Sequence, residues 1–435
     1  MKSIRVYSYR WVVLSALMIV LMVSEMQWLI FAPISRAATD FYQLQIPSDS
    51  IISPDILTLI HLISFLIFSV PASFLINKLG LKWSLRTAAI LIAVFSLIKG
   101  FTAADFNYVV FSQIGLSLGY VIILNSVTTV TNRWFPFKER GFAAGLVSFS
   151  QYLGLLLIMI IAPRIVTIDP ADPGYGDGLP RLLMMLGIIT SVSALAVLFF
   201  FKEKPPTPPT RKPVKIEKFY DSLVLLLTKK HMGGFMIIFG LAWGLFNVFI
   251  AKIDSITAFV KIENSNGILG VLLLVGGLFG SIVIPFLSDY YRKRKFFFAI
   301  SILGIFIGVV LFAFAPTLLR VGMPFFIIYI IVTVLGFFFQ GTMPLGYQYA
   351  FELSYPVQEA SSQGALLLNG HLVGALILIF MNIEGGKHLE GVLIASVALL
   401  FAALIGIAFV KESPIIVTEE ERLKEASGKE WVHQR

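Results

Sequence analysis

The sequence predicts an all-α polytopic membrane protein whose twelve transmembrane helices form two six-helix bundles. Two observations lead to this prediction. Hydrophobic residues make up 57% of the 435 residues and charged residues only 14%, and the mean hydropathy is +0.87, which is far from the balance of a soluble protein. Two polar segments of the chain also resemble each other, as expected for a chain that is built from two related halves.

Apolar runs that are long enough to cross a hydrocarbon core, about 17 to 25 residues each, occur twelve times. They lie at residues 11–34, 55–76, 86–101, 108–132, 141–165, 181–201, 233–260, 268–287, 296–314, 324–351, 364–381 and 391–410. The third run is the shortest. The first run is too long for the apolar core of a signal peptide and lacks a small-residue cleavage site, so we expect it to remain as a membrane helix.

The internal repeat joins the segments that follow the fourth and the tenth runs. Four residues recur roughly 220 positions later: Pro136, Glu139, Gln151 and Gly154 match Pro356, Glu359, His371 and Gly374. If both segments lie on one side of the membrane, the two halves run in parallel and are related by an axis along the membrane normal. Chance is the alternative, because Pro and Glu are both favoured at helix starts.

Basic residues predict the orientation, because cytoplasmic loops retain Lys and Arg. With the N-terminus inside, about three quarters of the 34 Lys and Arg residues lie in cytoplasmic segments. We therefore expect both termini in the cytoplasm and the chain in the plasma membrane. The net charge of +9 then follows from topology and the anionic inner leaflet, so nucleic-acid binding is not needed to explain it. The absence of cysteine excludes disulfides and thiolate metal sites.

The domain boundaries follow from the change in composition after the sixth run. We predict an N-terminal bundle at 1–201, a cytoplasmic connector at 202–231, a C-terminal bundle at 232–411 and a cytoplasmic tail at 412–435. The connector begins as a Pro-rich, basic stretch, which is typical of extended and exposed chain. Apolar residues at helical spacing follow, including Ile216, Phe219 and Leu223. They predict an amphipathic helix on the inner membrane surface, or a cytosolic extension of the seventh helix.

Two basic loops, after the second and eighth runs, resemble the signature loop of the major facilitator superfamily, and the major facilitator fold is therefore implied. The first has Asn77 where the family has Asp, followed by Lys78, Gly80 and Lys82, and the second has Asp289. In that fold the acidic residue caps a neighbouring helix or pairs with Arg, which latches the cytoplasmic side. The candidate gating residues are Asn77, Lys78, Gly80, Arg133, Glu139, Asp289, Arg292, Glu352 and Glu359.

A narrower resemblance, to the feline leukaemia virus subgroup C receptor family of solute carriers, covers most of the chain. The similar segments are residues 9–14, 26–34, 132–141 and, most specifically, MPLGYQYAFELSYPVQEASSQG at 343–364. Members are associated with choline, ethanolamine and haem transport, so the resemblance implies an organic cation or a large amphiphile as substrate. Trp28 matches the aromatic residue that the family uses against its cationic substrate. Tyr120 and His371 stand where the family has glutamines, and Asn247 stands where it has a tyrosine.

Glu25 is the only carboxylate well inside an apolar run. An ionisable group at that depth costs about 2.5 to 3.5 kcal/mol on insertion scales and is a functional candidate by default. It carries the proton of a coupled transporter or pairs with a cationic substrate; the alternative is a structural hydrogen bond to a neighbouring helix. Trp28 shares a helix face with Glu25, and an indole beside a carboxylate suits an ammonium group. The alternative for Trp28 is packing.

Further polar residues complete the candidate substrate site. Trp243 and Asn247 share a face of the seventh helix, and Asn125 begins a polar stripe on the fourth. Such a stripe faces a cavity or forms hydrogen bonds between helices. The candidates are Glu25, Gln27, Trp28, Tyr120, Asn125, Gln151, Trp243, Asn247, Gln340, Tyr347 and His371.

The sequence favours a carrier over an enzyme. We find no Walker loop, HExxH motif, pair of intramembrane aspartates or nucleophile elbow, so we expect no catalysis, cofactor or metal. Polar residues near mid-depth between two halves favour alternating access over the residue rings of a channel. We therefore expect a monomeric, bilayer-embedded secondary transporter of a small organic solute, coupled to protons, to sodium or to neither. A transport-inactive receptor or sensor on the same fold, or a channel, is the alternative.

Overall fold

The computed structural model describes residues 6–46, 54, 56–136, 139–207, 226, 228, 232–259, 267–354, 359–383 and 388–412, without the side chains at 56, 77, 128, 140, 141 and 359–361. Twelve helices in these ranges are long and apolar enough to cross a membrane. They are α1 (Tyr9–Trp28), α2 (Ile56–Leu79), α3 (Leu81–Phe101), α4 (Phe106–Trp134), α5 (Arg140–Ile165), α6 (Leu179–Phe200), α7 (Met232–Ala251), α8 (Ile268–Tyr291), α9 (Arg294–Ala313), α10 (Phe326–Ser354), α11 (Glu359–Asn382) and α12 (Leu389–Phe409). The described ranges contain no strand, so the all-α prediction is confirmed.

The first, third and seventh membrane helices differ most from their predicted bounds. The run predicted at 233–260 is divided into α7, which ends at Ala251, and a separate short helix at Ile253–Phe259. The run predicted at 11–34 is interrupted: α1 ends at Trp28, and a 3₁₀ turn at Ala32–Ile34 and a short helix at Ser35–Phe41 follow. Pro33 lies within that 3₁₀ turn, where its missing N–H cannot continue an α-helix. The third helix begins earlier than predicted because Gly80, at a φ of 84°, separates it sharply from α2.

Helix packing repeats between the first six and the last six helices. α1 packs against α5 as α7 packs against α11, and α2 packs against α4 as α8 packs against α10. The pairs α3–α6 and α9–α12 correspond in the same way. Each pairing recurs six helices later, so the two six-helix bundles are confirmed. The connector helix and the tail lie mostly outside the described residues, and the predicted domain boundaries stay predictions.

The two halves meet through α2 with α11 and through α5 with α8. We call the membrane side on which α1 begins the terminal side, and the opposite one the far side. At the far side, a Cβ on Gly267, just before α8, would lie 2.3 Å from the carbonyl oxygen of Met159 in α5. Only glycine permits this approach, and its φ of 74° also favours glycine. The halves are therefore in close backbone contact at the far side.

An ion pair also joins the halves at the far side. Arg36 donates its backbone N–H to Asp254 Oδ2 at 2.7 Å, and its Nε and Nη2 donate to Oδ1 at 3.0 and 2.8 Å. On the terminal side, the ion pairs of the described residues stay within one half, as Arg10–Glu139 and Arg294–Glu352 show. In this structure the halves are thus fastened at the far side.

We expect Arg36 and Asp254 to be energetically coupled. Arg36→Ala and Asp254→Ala should each lower the melting temperature of the purified protein. The double variant should lose little more than the worse single variant, because both remove the same pair. The Arg36 side chain is 37% exposed, so solvent screening limits the coupling free energy to about 0.5 to 1.5 kcal/mol. Arg320→Ala, at an exposed arginine of the same side, is the control. Fully additive losses would contradict the coupling.

Candidate functional site

A buried carboxylate lies at the centre of the first half. Glu25, in the last two turns of α1, is 3% exposed. Its Oε1 accepts hydrogen bonds from the Tyr120 hydroxyl at 2.6 Å and from the Gln151 amide at 2.7 Å. A Cβ on Gly154 would lie 2.1 Å from the Met22 carbonyl oxygen, so this glycine lets α5 approach α1. The residues that the structure describes include no Lys or Arg in an ion pair with Glu25.

Tyr120, which donates to this carboxylate, is one of three adjacent aromatic rings. The rings of Trp28 and His61 are stacked with their centroids 5.0 Å apart, and those of His61 and Tyr120 are 4.2 Å apart. The Trp28 indole N–H donates to the carbonyl oxygen of Thr58 at 3.3 Å, while His61 Nε2 is buried without a hydrogen-bond partner among the described residues. With Ser24, Gln27, Gln113 and Leu116, the three rings line a small cavity between α1, α2 and α4.

A lysine that sequence reasoning missed lies beside the same cavity. Lys99, in the last turn of α3, is 0% exposed. Its ammonium nitrogen donates to Gln27 Oε1 at 3.2 Å and to Gln113 Oε1 at 2.8 Å, and it lies 5.3 Å from the ring centroid of Phe31. The Gln27 amide in turn donates to Thr190 Oγ1 at 3.0 Å. The position near the end of an apolar run was the only signal, and it equally suits a lysine that reaches the membrane surface.

The second half contributes buried polar atoms that have no partner in the described structure. These atoms are Trp243 Nε1 and both side-chain amide atoms of Asn247 and Gln340. Gln340 faces the hydroxyl of Tyr152 from α5 without the geometry of a hydrogen bond. Such atoms are rare in folded proteins, and a ligand or water usually accounts for them. Gln340 of α10 therefore faces the first half, and the predicted residues of α7 and α10 keep free hydrogen-bonding capacity.

His371 connects the two halves through a ring contact. It is 5% exposed, and its Nδ1 is 2.6 Å from the carbonyl oxygen of Leu367. Its ring is stacked on Phe65 of α2 at 4.4 Å and lies 6.3 Å from the Trp243 ring. Tyr347 lies further along, with its ring 5.6 Å from that of Phe239.

Asn125 does not join these groups. Its amide nitrogen donates to the Ser69 carbonyl oxygen at 3.0 Å and lies 3.2 Å from the Ser69 hydroxyl. Of the two alternatives for the polar stripe of α4, hydrogen bonding between helices fits Asn125, since its partners are on α2.

The gating candidates of the first loop surround a carboxylate that the sequence analysis did not select. Glu203 accepts hydrogen bonds from the backbone N–H groups of Leu81 at 3.2 Å and Lys82 at 2.5 Å, and it pairs with Arg133. It thus caps α3, where a negative charge is favoured. A Cβ on Gly80 would lie 3.5 Å from its carboxylate. The side chain of Asn77 is outside the described part.

The other gating candidates lie in separate pairs. Asp289 pairs with Arg294, which also contacts Glu352 Oε1 at 3.2 Å. Glu139 pairs with Arg10 at 3.0 Å. Three candidates remain: Lys78 Nζ lies 5.9 Å from the ring of Phe74, Arg292 ends α8 with a φ of 55°, and the side chain of Glu359 is outside the described part. None of the described pairs on the terminal side spans the two halves.

The whole arrangement matches a known family. Residues 13–379 match the family described as Major Facilitator Superfamily. The chain belongs to this superfamily. The choline/ethanolamine transporter flvcr2a of Danio rerio is 26% identical over 428 residues, covering 94% of this chain and 88% of the relative. Solute carrier family 49 member A3 of Xenopus tropicalis is 27% identical over 399 residues, covering 87% and 78%. The predicted resemblance to the receptor-related solute carriers is confirmed.

Solved structures show the same fold. A bacterial homologue of the human lysosomal transporter Spinster, in an inward-facing and unoccupied conformation, superposes with a TM-score of 0.71 at 14% identity, covering 93% of this chain and 98% of that one. A D-xylose–proton symporter superposes with a TM-score of 0.72 at 14% identity, covering 93% and 99%. The fold class of a multi-pass transporter is therefore confirmed.

Glu203 should make stability depend on pH. Burial opposes its ionisation, but the hydrogen bonds from the Lys82 N–H and Arg133 outweigh burial and hold its pKa below the ordinary value of 4.5. A lowered pKa stabilises the fold above that value and loses this contribution as pH falls through the folded-state pKa. We expect Glu203→Gln to lower the free energy of unfolding at pH 7 by about 1 kcal/mol after allowance for partial exposure, measured as a lower melting temperature. The deficit should shrink below pH ~4.5.

Glu390→Gln, at an exposed carboxylate in the first turn of α12, is the matched control for this series. A Glu203→Gln deficit that stays constant as the pH is lowered would show that the carboxylate charge is not what holds the cap.

Proposed function

We propose that this chain is a secondary transporter that carries a small organic cation of the choline or ethanolamine class across the plasma membrane by alternating access. The observation that carries the proposal is the Glu25 carboxylate, which is held in the membrane interior by neutral hydrogen-bond donors. One of these donors, Tyr120, is the first of three adjacent rings that continue through His61 to Trp28.

An organic cation fits this site on physical grounds. A buried carboxylate whose partners are neutral lacks a compensating positive charge, and an ammonium or trimethylammonium group supplies one. Each ring face turned toward that group adds about 0.5 to 2 kcal/mol. A neutral sugar would offer the carboxylate no charged partner. The names of relatives such as flvcr2a of Danio rerio, a choline/ethanolamine transporter, support the same substrate class.

The second half supplies what the rest of such a substrate needs. Choline and ethanolamine each carry a hydroxyl group, which both donates and accepts a hydrogen bond. The unpartnered indole N–H of Trp243 and the amides of Asn247 and Gln340 offer both kinds of partner. A substrate that bridges Glu25 and these groups would hold the two halves together, as alternating access around a central site requires.

Contacts between the halves bear on the direction of opening. The far side is fastened by Arg36–Asp254 and by the close approach at Gly267. With both termini in the cytoplasm, opening to the outside would have to separate these two contacts.

Counterflow in proteoliposomes tests the proposal. We expect saturable exchange of radiolabelled choline that unlabelled choline and ethanolamine inhibit and that xylose and uridine do not. Flux without counterflow would indicate a channel, and binding without flux would indicate a receptor. Counterflow of radiolabelled xylose or uridine without counterflow of choline would replace the cation with a neutral solute, and counterflow of haem alone would favour a large amphiphile.

Variants of the ring site sharpen the test. Trp28→Ala should weaken choline binding by about 1 to 2 kcal/mol, which is roughly 5- to 30-fold, and Trp28→Phe should keep part of the affinity. Glu25→Gln should weaken it as well, because the counter-charge is lost. Trp83→Ala, at a tryptophan that is 60% exposed on the terminal side of α3, is the matched control. If Trp28→Ala binds choline as tightly as the parent protein, Trp28 does not contact the substrate and the aromatic site is contradicted.

Cysteine labelling tests the orientation in this naturally cysteine-free chain. Leu44, on the far side, is 98% exposed, and Thr207 lies in the connector after α6. A membrane-impermeant maleimide should label Leu44→Cys on intact cells, and Thr207→Cys only after permeabilisation. The reverse pattern would place the termini outside and would contradict the proposed topology.

A further inference from the structure

The first half buries two ionisable groups that have opposite charges when ionised. Glu25 is 3% exposed and Lys99 is 0% exposed. The carboxylate is bonded to a phenol and an amide, and the amine to two amide oxygens. Within the part of the chain that the structure describes, neither group forms an ion pair. The interior thus holds both groups without a direct counter-ion for either.

One cavity connects the surroundings of the two groups. Gln113, a partner of Lys99, and Tyr120, a partner of Glu25, lie on one face of α4 about 10 Å apart along its axis. Both line the cavity described above, together with Gln27 and the unpartnered Nε2 of His61. Polar side chains of Gln27, Gln113 and Tyr120 line this small cavity, although most of its exposed wall is apolar. Partners of both groups therefore border one space, through which a proton would leave from either group.

The charge of the pair decides what happens when a cation binds. The pair is neutral when it holds one proton, whether as carboxylate and ammonium or as carboxylic acid and amine. A monovalent cation at Glu25 raises the buried charge by one, and a net charge in a low-dielectric interior is strongly disfavoured. Loss of one proton restores neutrality in either case, so the result does not depend on which group held the proton.

We propose that Glu25 and Lys99 share one proton and that binding of one organic cation releases it, so that the chain exchanges one cation for one proton without moving net charge. This inference rests on the proposed cation substrate. In the step, an N–H bond of the Lys99 ammonium or the O–H bond of the Glu25 acid breaks. The electron pair stays on the nitrogen or oxygen, and the proton leaves through the cavity to the solution.

The other ionisable groups on the surrounding helices do not replace this pair. His61 of α2 and His371 of α11 are each stacked on an aromatic ring, and the Tyr120 hydroxyl of α4 already donates to Glu25. Tyr152 of α5 faces Gln340. The remaining charged side chains lie at helix ends: Arg181 begins α6 and is exposed, and Arg10 of α1 pairs with Glu139 on the terminal side.

Proton release from the parent protein is the primary test. Proteoliposomes with a pH-sensitive dye in the lumen should show one proton moving against each choline, at a rate that an imposed membrane potential does not change. The dissociation constant for choline should rise about tenfold for each unit of pH decrease. Choline counterflow without proton movement would overturn the exchange and leave the cation substrate intact, whereas absence of choline binding would overturn both.

Two substitutions of Lys99 separate proton exchange from a scaffold role. Lys99→Arg keeps a hydrogen-bond donor toward Gln27 and Gln113 but stays charged, so proton release should be lost and choline affinity at pH 7.5 should fall at least tenfold. Lys99→Met removes the donors and the charge, so it should bind choline at least as tightly as the parent. A scaffold role predicts the opposite order, with the Arg variant active and the Met variant impaired.

A buried lysine of the second half is the control. Lys252 is 4% exposed and hydrogen-bonded to Asn382, away from the cavity. Lys252→Met should keep one proton per choline. If the Lys99→Arg variant does not fold, the proton count of the parent and the affinity of Lys99→Met still decide the proposal. Equal loss of proton release in Lys252→Met and Lys99→Arg would contradict a specific role for Lys99.

Discussion

A charged group that is buried inside a membrane protein loses its hydrogen bonds to water, and hydrogen bonds from the protein have to replace them. This constraint organises the first half of the molecule. Glu25 obtains its partners from α4 and α5. Lys99 obtains its partners from α1 and α4. The positions of four helices relative to one another are therefore tied to two side chains, which explains why Gly154 must allow α5 to approach α1 so closely.

The two halves share their helix arrangement but differ in chemistry. The first half places a carboxylate with its hydrogen-bond donors in the interior, whereas Trp243, Asn247 and Gln340 in the second half keep unpartnered neutral polar atoms. A substrate between them would satisfy polar groups of the second half that have no partner among the described residues. Binding energy then depends on both halves being close, which is how a ligand shifts a carrier between its conformations.

Hydropathy and the repeat predicted the twelve helices and their division into two bundles, and depth alone identified Glu25, because these properties are local in the sequence. The hydrogen-bond and ion-pair partners of a side chain, in contrast, can be distant in the sequence. Glu203 caps a helix that begins more than a hundred residues earlier, and Arg36 meets Asp254 across the two halves. Lys99 looked like a lysine at a membrane edge, and only the packing of α3 against its neighbours turns it inward. Asn125 was assigned to the substrate site, yet its amide is bonded to α2.

Charge also determines which forms of such a carrier can change conformation. Closing the site from both solutions removes the remaining contact with water, and this step is costly for a site that carries net charge. In the proposed exchange, the pair is neutral with one proton and no cation, or with one cation and no shared proton. A site with neither is negative, and a site with both is positive. Only the two neutral forms would close readily, so each half-cycle must carry one cargo or the other, and coupling follows from electrostatics without a dedicated gate.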